Sequence, residues 1–125
     1  MSESKEYYSR QLQIGSIHVS EEVVASIVAA AVQEVDGVVG LSASFTTEIQ
    51  DRLSSKKNLA KGIRILQQDD AVQVDCSVIV LYGHSMQEIG AAVQDAVQQA
   101  VESMIGLKVS AVNVNVAGIS MTKKD

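Results

Sequence analysis

Between Val72 and Val116 the apolar residues change period twice, and few folds accommodate that. Val72, Val74, Cys76, Val78 and Val80 recur every second residue, with Gln73, Asp75 and Ser77 between them. That alternation puts them on one face of a strand. Met86, Ile89, Val93, Val97, Ala100, Val101 and Met104 then recur at three- and four-residue spacings. They form the stripe of an amphipathic helix whose wet face holds Gln87, Gln94, Asp95, Gln98, Gln99 and Glu102. Ser85-Met86-Gln87-Glu88 has the Ser-x-x-Glu form of a capping box, and Gly106 supplies the stop. Period two returns with Val112, Val114 and Val116 set against Asn113 and Asn115. Strand, helix and strand in succession predict two parallel strands joined by a right-handed crossover. From Val78 the first strand is apolar on both faces, as expected of a central strand.

The upstream half fits the same plan. Ile63 to Leu66 starts a strand, and Gln67-Gln68-Asp69-Asp70 turns it back into the strand from Val72. Ser20 stands at an N-cap position with Glu21 and Glu22 behind it. Val23, Val24, Ile27, Val28, Ala31 and Val35 then trace a second helix that Gly37 ends. Leu12 to Val19 reads as one strand with an irregularity at Gly15, and Val38 to Leu41 as a short strand. The expected fold is α/β: a single two-layer domain with a mixed β-sheet of about four strands and two amphipathic helices packed on one face. The element order is β-α-β-β-β-α-β. Residues 1–10 read as a flexible tail, 11–119 as the domain and 120–125 as a C-terminal tail. Within the domain, 42–62 reads as a variable basic loop or a short helix, with Phe45, Ile49 and Leu53 at helical spacing.

The chemistry-bearing residues are few. The chain holds one cysteine and two histidines in 125 residues, too few for a Cys/His metal cluster. Asp69-Asp70 lacks the alternating oxygen ligands of a calcium loop and reads as a turn. Cys76 falls in the apolar phase of its strand and reads as core. His84 stands just before a helix N-terminus and His18 in a strand; both read as structural, although a base at His84 is a minor alternative. No G-x-x-x-x-G-K-[ST] phosphate cradle occurs. The helix-and-sheet plan also suits a KH-type RNA binder, but the G-x-x-G loop and stacking aromatics are missing. No catalytic, cofactor or metal site is therefore expected.

Charge carries more information than the formal net of −5. Arg52, Lys56, Lys57, Lys61 and Arg64 place five of the ten basic residues in 52–64, which has no Asp or Glu. The remainder sums to −10, from five basic and fifteen acidic residues. An acidic body disfavours nucleic acid. The basic segment reads as a solvated loop or as a patch for an acidic partner or anionic lipid. Asn113 and Asn115, in the last strand, are candidates for pairing with another chain. No apolar run approaches the ~20 residues that span a bilayer.

Several segments together resemble the alkaline-shock (envelope stress response) protein family of Gram-positive bacteria. They are Gly15-Ser16-Ile17-His18-Val19-Ser20, Glu34-Val35-Asp36-Gly37-Val38-Val39-Gly40-Leu41, Lys61-Gly62-Ile63, Val74 to Gly83 and Val112 to Gly118. The resemblance covers roughly Leu12 to Ile119 and is closest to the short members without a low-complexity tail. It implies a non-catalytic cytoplasmic protein that associates with the membrane through a separate small anchoring protein and forms homo-oligomers. The function expected is a protein–protein interaction or scaffold module. A carrier or sensor of an acyl chain, with the helix faces parting to form a pocket, is the alternative.

Overall fold

The computed structural model describes residues 7–12, 14–42, 62–68 and 70–122. Among the described residues eight elements follow one another: β1 Tyr7–Leu12, β2 Gly15–Ser20, α1 Glu21–Gln33, β3 Val38–Leu41, β4 Ile63–Gln68, β5 Ala71–Leu81, α2 Met86–Met104 and β6 Lys108–Ser120. β3, β4, β5 and β6 make one mixed sheet: β6 runs parallel to β5, and β3 and β4 run antiparallel to it. The crossover expected through α2 is present as a parallel β5–β6 pair.

Both helices begin as their sequences require. Ser20 Oγ accepts the Val23 N–H at 3.2 Å, and Ser85 Oγ accepts the Glu88 N–H at 3.2 Å, each satisfying a donor the first helical turn leaves open. Their apolar stripes cover the same side of the sheet. Val24, Val28 and Val32 of α1 and Ile89, Val93, Val97 and Val101 of α2 are buried against Ile63, Ile65, Val72, Val74, Cys76, Val78 and Val80. The core is thus built from β-branched residues of β5 and two helix stripes, each Val contributing roughly 1.5–3 kcal/mol by leaving water.

β3 and β4 lie end to end along a single edge of β5. Val38 to Leu41 pairs with Val80 to Val78, and Ile63 to Gln68 continues with Cys76 to Ala71. One residue of β5, Ser77, falls between the two registers. The Ser42 N–H donates to the Ser77 carbonyl and the Ser77 N–H donates to the Gly62 carbonyl, both at 2.9 Å. Two residues twenty apart in sequence therefore divide the hydrogen bonds that one ladder residue normally makes. Gly62 has φ +78, and a Cβ there would stand 2.5 Å from the Ser42 carbonyl oxygen. Only glycine fits where the two ends meet.

The N-terminus differs from expectation. β1 and β2 form an antiparallel hairpin of their own, with Tyr7 opposite Ser20 and Leu12 opposite Gly15. The strand read through Leu12 to Val19 is thus two strands, and the irregularity at Gly15 is a reversal of chain direction. β1 also takes in residues 7–10, which the sequence pattern assigns to the tail. Ile14 and Ile17, at 98% and 54% exposure, show that this hairpin carries apolar side chains the domain leaves uncovered. β6 runs on to Ser120, the first residue assigned to the C-terminal tail.

Candidate interaction surface

The side of the sheet turned away from the helices holds the polar phase of its strands. Arg64 of β4 stands opposite Asp75 of β5, which stands opposite Asn113 of β6. The Arg64 guanidinium pairs with Asp75 Oδ2 at 2.5 Å, with side-chain exposures of 15% and 12%. Asn113 Nδ2 donates to Asp75 Oδ1 at 2.8 Å, and Gln73 Nε2 donates to the same oxygen at 3.3 Å. In the next row Asn115 Nδ2 donates to Ser77 Oγ at 3.1 Å. A carboxylate this poorly hydrated must be held by donors, and here three side chains supply them. The Arg64 Nε is buried without a hydrogen-bond partner among the described residues.

The structure thus brings three of the candidate residues into one row system: Arg64, Asn113 and Asn115. Arg52, Lys56, Lys57 and Lys61 lie outside the described residues. Asp75 and Ser77, which sequence reasoning treated only as the wet face of a strand, are the acceptors that organise the surface. Gln68 stands opposite Ala71, and that register sets Arg64 opposite Asp75; a turn centred within Gln67-Gln68-Asp69-Asp70 would have set Arg64 opposite Gln73. The extension of the pair to Asn113 needed the β5–β6 alignment, which two one-residue shifts displace.

The edge of β6 beyond β5 is guarded in part. Glu102 accepts the Val109 N–H at 3.1 Å, and Gln94 Nε2 donates to the Val112 carbonyl at 3.0 Å. Both reach from α2, and register shifts make bulges at Ser110 and Ala117.

The remaining reactive side chains among the described residues are Cys76, His84 and His18. Cys76 is fully buried, and burial, reinforced by the Asp75 charge, pushes its thiol up to about 12. That keeps it protonated and unreactive. His84 is exposed in the turn before α2, its N–H donating to the Leu81 carbonyl at 3.4 Å. His18 Nε2 lies 3.1 Å from Ser16 Oγ on β2. Among the described residues no three of His, Cys, Asp and Glu gather as a metal site, and no helix is long and apolar enough to cross a membrane. An open depression of about 290 Å³ at the C-terminal end of α1 is lined by residues 33–39 and Leu81. Glu34 and Asp36 in that lining suit it poorly to an acyl chain.

The alkaline shock protein 23 family, described by a cell envelope-related function, matches residues 9–121. The protein YqhY of Bacillus subtilis is 30% identical over 111 residues, 89% of this chain and 82% of that one. YloU of the same organism is 32% identical over 111 residues, 86% of this chain and 91% of that one. A protein of Streptococcus pyogenes named as a homolog of the stress response regulator gls24 is 27% identical over 105 residues, 84% of this chain and 59% of its own length.

Proposed function

Because this chain belongs to the alkaline shock protein 23 family, with its cell envelope-related function, we propose that it is a non-enzymatic interaction module. In this reading it works at or near the cytoplasmic face of the membrane, binding a membrane-associated protein and its own copies. What supports the reading is the sheet surface opposite the helices. Its polar groups are fixed in register across three strands by the Arg64–Asp75–Asn113 row and the Ser77–Asn115 pair. Each exposed asparagine spends one N–H inward, which leaves its Oδ1 and second N–H for a partner. Groups already immobilised lose little rotamer entropy on binding, a property that suits recognition.

The test is affinity purification of the tagged protein from gently solubilised native cells, with mass spectrometry of what accompanies it. The wild type recovers a defined second protein, and an Asn113→Ala/Asn115→Ala variant with native circular dichroism loses it. Equal recovery by the variant, or no second protein with either, overturns the reading.

A further inference from the structure

β6 contains a palindrome. Ala111-Val112-Asn113-Val114-Asn115-Val116-Ala117 reads the same in both directions, centred on Val114. The similarity continues outward, with small Ser110 matching Gly118 and β-branched Val109 matching Ile119. β6 pairs with β5 along one edge, and no strand among the described residues lies along the other. The hydrogen bonds from α2 identify which residues point outward. Val109 through its N–H and Val112 through its carbonyl both face that open edge. Strand alternation past Val112 turns Val114 and Val116 the same way, until the bulge at Ala117 reverses the phase. The Ser120 carbonyl, which accepts the Tyr82 N–H at 2.8 Å, points back to β5 and fits that reversal.

We propose that β6 pairs with β6 of a second copy, antiparallel, about a two-fold axis through Val114. An antiparallel partner meets the palindrome with an identical residue type at every position, and a strand that reads the same both ways is its own complement. Val114 then faces the partner's Val114, and Val112 faces the partner's Val116, as hydrogen-bonded pairs. Asn113 and the partner's Asn115 form the closely spaced pairs between them. Among the described residues each asparagine there keeps an unused amide oxygen and N–H, its other N–H being held by Asp75 or Ser77. The amide pair thus joins the polar rows of both copies into one. Residues 109–122 carry no charge, so two chains of formal net charge −5 can meet there without opposing like charges directly. Gln94 must share or release the Val112 carbonyl, so in the separated chain it occupies part of the partner's place. A pairing this short sits at the small end of interfaces, so association depends on concentration.

The inference rests on the interaction-module reading but is tested apart from it, on purified full chain without any other protein. Sedimentation velocity over a concentration series is expected to show a monomer–dimer equilibrium. Val114→Pro removes the central outward N–H, at an edge position where proline is tolerated, and is expected to leave a monomer with native circular dichroism. Gln94→Ala is expected to dimerise at least as tightly as the wild type. Hydrogen exchange on the unaltered chain keeps the test decisive if Val114→Pro fails to fold. Raising the concentration to about tenfold above the dimer Kd leaves roughly a fifth of the chains monomeric and slows the Val114 and Val116 amides by roughly fivefold. A monomer at every concentration, a dimer that survives in folded Val114→Pro, or a dimer whose Val114 and Val116 amides exchange freely overturns the proposal.

Discussion

Replacing Gly62 with alanine puts a methyl group where the two halves of the edge strand meet, and its cost follows from three terms. At φ +78 an L-residue is strained by roughly 1–2 kcal/mol. The new Cβ would stand 2.5 Å from the Ser42 carbonyl oxygen, 3.1 Å from the Ser42 nitrogen and 3.2 Å from the Leu41 Cβ. Two of those neighbours are backbone atoms and cannot rotate away. Relief requires Ser42 or residue 62 to shift, and each donates or accepts a 2.9 Å hydrogen bond at Ser77. Losing one such bond costs about 1 kcal/mol. Alanine stiffens the unfolded chain and returns roughly 0.4–1 kcal/mol. The net destabilisation is about 2 kcal/mol. Gly40→Ala is the control, because Gly40 has no positive φ and a Cβ there meets nothing within 4 Å. Urea unfolding followed by circular dichroism should show the Gly62→Ala midpoint lowered by roughly 1 M at unchanged slope, and the Gly40→Ala midpoint unmoved or raised. Matching midpoints for the two variants would refute the argument that Ser42 and Gly62 share one ladder position.

The same junction predicts that residues 43–62 can be removed with Ser42 joined directly to Ile63, because Ser42 alone then offers both N–H and C=O to Ser77. A native circular dichroism spectrum and a melting temperature at or above the wild-type value are expected, since bringing together chain positions about twenty residues apart costs roughly 2–3 kcal/mol of entropy; loss of the folded signal would contradict it. Cys76 gives a pH prediction. Its thiol pKa rises from 9.0 to about 12 on folding, so the native state holds a proton that the unfolded state releases. Stability contributed this way is complete below pH 9 and falls as pH rises through about 9 to 12. Chemical denaturation at stepped alkaline pH should show that slope reduced in Cys76→Ala, and an unchanged slope would count against it.

Patterns confined to a single element were legible. The stripe of α2, the alternation of β5 and the serine caps depend on neighbours within a few residues, and sequence spacing records such neighbours directly. The hairpin of β1 and β2 was not legible. Its residues 7–10 mix tyrosine, serine and arginine without alternation, and Gly15 breaks the pattern of Leu12 to Val19 as a bulge also would. The union of β3 and β4 into one edge was hidden for another reason. Strands of four and six residues separated by a long insertion show nothing of lying in line until β5 is present to pair with both. Arg64 and Asn113 were singled out separately, one for its charge and one for its place in the last strand. Their meeting at Asp75 depends on two registers at once. The four lysine and arginine candidates at 52, 56, 57 and 61 fall outside the described residues.

The central position of β5 also ranks its pairings in time. β4 pairs with β5 from Gln68 opposite Ala71 onward, so that hairpin closes on the microsecond scale of local events. Before it forms, Leu41 must find Val78 across 37 residues (78 − 41); afterwards Ile63 is already beside Cys76, and the gap to close is 22 residues (63 − 41). The shorter gap lowers the closure cost by about 0.5 kcal/mol. β6 gains no such shortening, because a parallel partner must return along the whole length of β5 and waits for α2 to carry it there. The half of the sheet that holds the split strand is therefore expected to assemble first, and the half that holds the palindrome last.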